Sequence, residues 1–367
     1  MSDNININYF TARDILSKEL SLEIFPASFK RMLQKNPYVK VDDPVVFFST
    51  LDGRVVSKLF LMPHDLRYNG RNIRWFWGQN FYTDVSLRGK GIGTNLYKKL
   101  LSELNSRNIC YGAYAMSDIT KRINDKCGLT NLGRFPRYIL LLNLRPILDH
   151  FFRIKLIKKI GTVICNNILF LIISLLTYKL GIYKNKYYIE QIANFDERVD
   201  QFISKYEPQL WLQRCSVSLN WKLEHAVKNA HPPKEYKAFY IKEVENDSII
   251  GYFILRFGNY DNLGGRPYKN VGVSTVVDFF IDPKSKEAFY GFIYYVINEA
   301  KHLNSDVLEI ITNDKNLKVL LKNALFLHKG GYDFWYNSPT SSPLREDYCI
   351  SAKNWWITAG ESDAFFF

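Results

Sequence analysis

The stretch YTDVSLRGKGIGTNLYKKLLSEL, residues 82–104, crowds three glycines, at 89, 91 and 93, between a β-like run and an amphipathic helix. Arg88 and Lys90 stand among them. Glycine at a helix start costs about 1 kcal/mol against alanine, so a chain that gathers it there needs bare backbone. Arg88, Gly91 and Gly93 form R-x-x-G-x-G, a spacing that lets successive N–H groups point outward at the positive end of a helix dipole. A pyrophosphate fits such a turn, and Arg88 and Lys90 add positive charge beside it. The dinucleotide-binding fingerprint does not apply, because G-x-G-x-x-G is missing and the preceding strands read as hairpins. The P-loop fails too, for lack of Gly-Lys-Ser/Thr.

Upstream, PVVFFSTLDGRVVSKLFLMPHDLRYNGRNIRWFWGQNFYTDVSL reads as three antiparallel strands, turning at Asp52-Gly53 and Asn69-Gly70. Before them, residues 8–35 read as two helices broken at Pro26. Downstream, Thr94 to Asn105 is helical, with Leu96, Tyr97, Leu100, Leu101 and Leu104 at helical spacing. A strand ICYGAYAM, a helix near 118–126 and a strand RYILLLNL follow. From about Glu190 the same grammar returns: a hairpin turning at Asn246-Asp247, a strand NVGVSTVVDFFIDP, a helix, a strand DVLEIIT and a helix. This predicts an internal duplication. Where the first half has LRGKGIG, the second has IDPKSKEAFYG, without a phosphate turn.

The run DVSLRGKGIGTNLYKKLL resembles the acetyl-CoA-binding motif of the GNAT acyltransferase superfamily, and the element order resembles that fold over residues 8–144. MSDITKRINDKCGL is similar to the family's next motif, a helix ending in a Lys-x-Gly-Phe-like turn, here Lys126-Cys127-Gly128-Leu129. The resemblance implies an α/β (α+β) fold of two GNAT-like domains, each a mixed, mostly antiparallel sheet flanked by helices. Residues 1–148 would bind acyl-CoA, 149–189 would be an apolar and basic helical linker, and 190–367 would be a degenerate copy that shapes the acceptor site. It also implies acetyl-CoA or another acyl-CoA as co-substrate. The pyrophosphate would lie on Leu87, Arg88, Gly89, Lys90, Gly91, Ile92, Gly93 and Thr94, and the pantetheine along Phe81, Tyr82 and Thr83.

The implied activity is N-acyl transfer to a small-molecule amine, with amino sugars of surface polysaccharide synthesis as one acceptor class. Two alternatives stand beside it. One is tRNA-dependent aminoacyl transfer to cell-wall peptide; the other is a non-catalytic, membrane-associated protein of the same fold. RNA-dependent relatives need no CoA turn, so no nucleic-acid partner is expected.

Many family members place a tyrosine four residues before the terminal glycine of the second motif, where it protonates the leaving thiolate. Asn124 stands there instead, so the proton must come from water or from a nearby tyrosine such as Tyr111 or Tyr114. Asp84 is the carboxylate the strand before the turn offers, as a general base or as a turn cap. Glu361 and Asp363, in WWITAGESDAFFF, face either an inter-domain cleft or solvent. His64 and Asp65 line a pocket or form a surface turn, and Cys127 is a covalent participant or a small buried residue.

The length of 367 residues suits two units at about 150 residues each. A net charge of +13 calls for an anionic partner, which nucleic acid, anionic lipid and phosphorylated small molecules all satisfy. Five cysteines without C-x-x-C spacing support neither a disulfide framework nor a metal site and fit a reducing cytoplasm. MSDNININYF lacks the basic and apolar regions of a secretory signal. Ile160–Tyr178 is a run of 19 uncharged residues between Lys158-Lys159 and Lys179, long enough to span a bilayer. It reads as a span, a membrane-surface helix or a buried inter-domain helix. A single span would separate the two halves across the bilayer, and the basic flanks favour the inner face of a membrane.

Overall fold

Two hairpins start the sheet where their turn residues dictate. Asp52 and Gly53 take left-handed φ angles of 52° and 77°, and Asn69 and Gly70 take 47° and 75°, the backbone that a two-residue turn requires. They link β2 (Pro44–Leu51), β3 (Arg54–Tyr68) and β4 (Arg71–Thr83). The computed structural model describes residues 5–17, 24–114, 116–146, 148, 155–206, 210–229, 234–263 and 266–361. Asp363 lies outside the described residues.

The N-terminal helical expectation needs correcting. Ile5–Thr11 is strand β1, paired antiparallel with β2, and only α1 (Ala12–Ser17) and α2 (Ala27–Lys35) are helical. Residues 5, 7 and 9 are more buried than 6 and 8, the two-residue period of a strand. The rest of the first half is α3 (Ile92–Ser106), β5 (Cys110–Tyr114), α4 (Asp118–Lys126) and β6 (Thr130–Leu141). A long helix, α5 (Lys155–Leu180), follows.

The second half contains β7 (Tyr187–Ile192), α6 (Glu197–Tyr206), β8 (Leu210–Leu212), α7 (Ser216–Asn229), β9 (Glu235–Glu243) and β10 (Ile249–Leu263). It ends with β11 (Arg266–Ile281), α8 (Lys286–His302), β12 (Val307–Ile311), α9 (Lys315–Asn323) and β13 (Leu327–Asn337). Apart from β8, each half runs strand, two helices, three strands, helix, strand, helix, strand.

The described strands form one 13-stranded sheet in the order β1-β2-β3-β4-β5-β13-β6-β12-β11-β10-β9-β7, with β8 paired to β3. Neither half closes its own sheet. β13 lies between β5 and β6, and β6 lies between β13 and β12, so each half's last strand has crossed to the other. The helices divide between the two faces of the sheet. α3 and α4 pack on the first half and α5, α8 and α9 on the second, all on one face. α1, α2, α6 and α7 cover the opposite face. Full burial of Leu96, Leu100 and Leu104 on α3 contributes about 1.5–3 kcal/mol per side chain.

Two irregularities position the site. The β3–β4 register slips between Lys58–Tyr82 and Phe60–Gln79, so Asn80 and Phe81 together oppose Leu59, and Asn80 adopts a φ of 50°. Such a bulge kinks the strand and re-aims its side chains. The parallel β4–β5 pairing runs from Trp75–Cys110 to Trp77–Gly112, while β4 continues to Thr83. A V opens between the two strands beyond that point.

Candidate active site

The opening motif builds an uncapped helix end. Asp84 starts a short 3-10 turn, Val85–Leu87, and Gly89 and Gly91 then take left-handed φ angles of 83° and 81°. Gly91 immediately precedes α3 and no side chain caps the helix; the first helical bond runs from Asn95 N–H to Gly91 O at 2.9 Å. The N–H groups of Ile92, Gly93 and Thr94 are thus the unsatisfied donors of the helix start. The glycines serve different ends. A Cβ at Gly93 would lie 2.8 Å from the Phe81 ring and 3.0 Å from Thr83 Oγ1, so this glycine lets α3 press onto β4. Gly91 has open space around its Cβ position and is required by its backbone angle.

A groove of about 560 Å³ opens beside this end. Phe81, Tyr82, Thr83, Leu87, Arg88, Gly89, Gly91, Ile92, Gly93 and Thr94 all line it, while the eleventh expected cofactor residue, Lys90, is exposed and does not. The opposite wall is α4, which adds Ser117, Ile119, Thr120, Arg122, Ile123 and Lys126. Arg122 and Lys126 are four residues apart on one helix face, and with Arg88 they put three cations on the groove. Arg88 is steadied by a 3.2 Å bond from its Nε to Thr83 O.

The catalytic candidates fall in different surroundings. Asp84 caps its turn, accepting from Ser86 N–H at 3.0 Å and Ser86 Oγ at 2.7 Å, and pairs with Arg54 at 3.1 Å. The Ser86 hydrogen bonds hold its carboxyl below the ordinary range, which weakens it as a base. Tyr111 is fully buried, its hydroxyl 3.1 Å from that of Tyr97 and beneath Gly78, where a Cβ would meet the same oxygen. Tyr114, three residues on, is also buried, and its hydroxyl has no hydrogen-bond partner among the described residues. Burial, with Tyr332, Glu309 and Glu361 adding to it, raises the Tyr114 pKa well above normal and keeps the phenol protonated. Asn124 is fully buried, its Nδ2 2.9 Å from Met116 Sδ and its Oδ1 without a hydrogen-bond partner among the described residues. Cys127 is half-buried against Thr94, and burial pushes its thiol up, away from the reactive thiolate.

On the opposite face of the sheet the two halves enclose a polar chamber. Met62, His64, Trp77 and Gln79 come from β3 and β4; Trp221, Lys222, Gly360 and Glu361 come from the second half. Its free volume is about 10 Å³, room for one water. His64 Nε2, Trp77 Nε1, Gln79 Oε1 and Glu361 Oε2 have no hydrogen-bond partner among the described residues. A single water in this cavity would reach several of these atoms at once.

Glu361 is held in position. Its other carboxylate oxygen pairs with Arg214, which also bonds Asp278 at 2.9 Å, and all three side chains are fully buried. Burial pushes the Glu361 carboxyl up, and Arg214 pulls it back. Lys222 donates to Gly360 O at 3.3 Å. His64 stacks on Tyr38 at 4.2 Å, and its Nδ1 lies 2.9 Å from the Asp65 backbone. Burial, and then the charge of Lys222, depress its pKa well below 6.5, so the ring is neutral. The sequence left open a surface turn at His64; the residue sits instead in mid-strand, next to Pro63. The strand tolerates that proline because β2 pairs with β3 only as far as Phe60 and β8 begins at Leu66.

No protein-family model matches the sequence, and no curated protein does. Solved structures do match in fold. Saccharomyces cerevisiae N-myristoyltransferase with bound myristoyl-CoA aligns at a TM-score of 0.57 and 13% identity, over 92% of this chain and 79% of the other. A conserved Enterococcus faecalis protein described as a probable N-acyltransferase aligns at 0.55 and 12%, over 91% and 73%. A GCN5-related N-acetyltransferase from Anabaena variabilis aligns at 0.54 and 12%, over 91% and 73%. The chain has the GNAT and N-myristoyltransferase fold.

Proposed function

We propose that the chain is an acyl-CoA-dependent N-acyltransferase. The observation that carries this reading is the coincidence of an uncapped, glycine-built helix start with a cofactor-sized groove bearing Arg88, Arg122 and Lys126. The N–H groups at the head of α3 receive the pyrophosphate, and the three cations neutralise the phosphates from both walls. The pantetheine follows the free edge of β4 past Phe81 to the V, where the thioester meets an amine whose nitrogen lies toward the chamber on the other face.

The chamber's free acceptors, Gln79 Oε1 and Glu361 Oε2, suit the N–H groups of an amine. The amine nitrogen attacks the thioester carbonyl carbon and sheds a proton to solvent water, the C–S bond breaks, and the thiolate takes a proton. Water in the groove supplies it: Tyr114, near the end of β5, has its pKa raised by burial and lines neither the groove nor the chamber. In this reading the second half has given up cofactor binding and supplies Trp221, Lys222 and Glu361 to the acceptor wall. The chamber, with room for one water, admits at most the acceptor's amine nitrogen; an amino sugar of the kind used in surface polysaccharides is the proposed acceptor class, its ring lying outside the chamber.

Calorimetry with acetyl-CoA tests the donor site: saturable binding below about 1 mM, a free energy near 4 kcal/mol or better, is expected. Failure to bind acetyl-CoA or any longer acyl-CoA would remove the proposal. Thiol release with amino-sugar nucleotides, polyamines and peptides then tests the acceptor, and turnover confined to polyamines or peptides would reject the amino sugar.

A further inference from the structure

We infer that α5 attaches this protein to an anionic membrane as a helix lying in the interface plane. The proposal is independent of the catalytic reading. Gly161–Asn185 has a mean hydropathy of 1.8, enough for a span, yet only 11% of its most apolar window is buried. What decides between spanning and lying flat is how the two sides of the helix are used.

The inner side is committed to protein. Ile173, Leu176 and Leu180 belong to the core of the second half, and Tyr183 stacks on Tyr290 at 5.4 Å. Farther up the helix, Asn166 accepts from Leu144 N–H at 2.8 Å and donates to Asn143 Oδ1 at 2.9 Å. From Asn166 to Tyr183 the helix is therefore fastened along its length, and lipid cannot surround it without tearing it from the fold.

The outer side carries a long apolar stripe, with exposed Asn167 and Lys179 as the polar residues beside it. Ile164, Ile168, Leu171, Leu175, Tyr178 and Ile182 follow one another at intervals of four and three residues and are 54%, 55%, 60%, 61%, 85% and 62% exposed. Between Ile164 and Tyr178 the stripe runs about 21 Å at 1.5 Å per residue, and Ile182 continues it on the 3-10 turn Gly181–Asn185. A face this long and apolar is covered by something in the working protein.

Charge selects the covering. Residues 150–189 carry seven Lys and Arg and not one Asp or Glu. Lys179 and Lys184 are exposed at one end of the stripe. A second copy docking on the same face about a two-fold axis would bring like charges together, whereas anionic headgroups complement them. An apolar face with basic margins is the pattern of a helix that rests in the headgroup layer.

The test uses the full chain and flotation with phosphatidylcholine vesicles, with and without one-third phosphatidylglycerol. Wild type should float with the anionic vesicles and more weakly with the neutral ones, and should stay partly bound in 0.5 M salt, because salt screens the lysines but not the apolar stripe. Leu171→Gln with Leu175→Gln should weaken partitioning by about tenfold or more. Their melting temperature and acetyl-CoA binding should match wild type. No flotation of wild type with anionic vesicles would overturn the proposal. So would a stable solution dimer that the same substitutions dissociate, or segments protected from protease inside sealed vesicles, the mark of a span. Loss of acetyl-CoA binding with flotation intact would sink the catalytic reading alone.

Discussion

The two halves present the same helix, after the same three strands, with opposite ends. In the first half α3 begins at left-handed Gly91 with no capping side chain, and its N–H groups open onto the groove. In the second half α8 begins after Ser285, whose side chain accepts from Ala288 N–H at 3.1 Å, with Glu287 in the first turn. The serine cap takes one of the free N–H groups, and Glu287 sets a carboxylate in the first turn, so this end is a poorer place for an anion than the head of α3. The strand gaps differ as well. β11 bulges between Leu255–Val276 and Ile254–Asp278, much as β4 does, and its pairing with β12 ends at Val276–Ile310. There Trp356 packs against both cores and lies 5.5 Å from Phe279 and 5.3 Å from Phe280. One architecture thus leaves an open groove where its helix end is uncapped, and a filled support where a serine cap and a tryptophan complete it.

The largest break in this contrast comes at Gly93. Gly93→Val drives methyl groups into Phe81 and Thr83, and we expect a loss of about 2–3 kcal/mol in thermal or urea unfolding together with loss of acyl-CoA binding. Wild-type melting and binding in this variant would show that the tight approach is dispensable. Next in size, Arg122→Glu with Lys126→Glu reverses one wall of the groove. Affinity for acetyl-CoA by calorimetry should fall about tenfold or more, near 1.4 kcal/mol, with the melting temperature unchanged.

The chamber between the halves has a pH signature. Because the folded pKa of His64 lies below its unfolded value of 6.5, the unfolded chain binds a proton that the folded one refuses. Its contribution is complete above about pH 6.5 and is lost as pH falls toward the folded pKa, at no more than about 1.4 kcal/mol per pH unit. Urea unfolding between pH 7.5 and 5 should show that slope, and His64→Gln should flatten it; an equal slope in both proteins would place the proton elsewhere. The smallest effect belongs to the closed helix end. Ser285→Ala should cost about 1 kcal/mol of stability and leave acyl-CoA affinity alone. A change in affinity would mean that the second half takes part in cofactor binding after all.

Much of the first half was legible because its signals are local. Asp52-Gly53, Asn69-Gly70 and the glycines at 89 and 91 demand particular backbone angles wherever they occur, and the structure has them there. The alternation at Ile5, Ile7 and Tyr9 was equally local, but it was overrun by the helical pattern that follows it. Arg122 and Lys126 could have been found from their four-residue spacing on a helix already expected beside the turn. The chamber could not. His64 and Gln79 meet Lys222 and Glu361 only because distant parts of the chain fold onto one sheet, and no spacing in the sequence encodes that meeting. Partner choice by β6 and β13 was hidden for the same reason, since a strand's own residues specify a face and not a neighbour.

The crossed strands determine how a substrate can come and go. Many two-lobed enzymes open like a clamshell, swinging rigid bodies apart on a hinge. Here β6 and β13 are laced side by side from Ile139–Leu327 to Thr130–Tyr336, and each also holds the other half's edge, β12 or β5. Parting the lobes would unzip the middle of the sheet, so the jaws are sewn shut. Traffic must pass through the rims, by movement of the segments that border the groove and the chamber. For the same reason the lobes should melt as a single cooperative unit, and a nick in the connection between them should leave two pieces that still travel together.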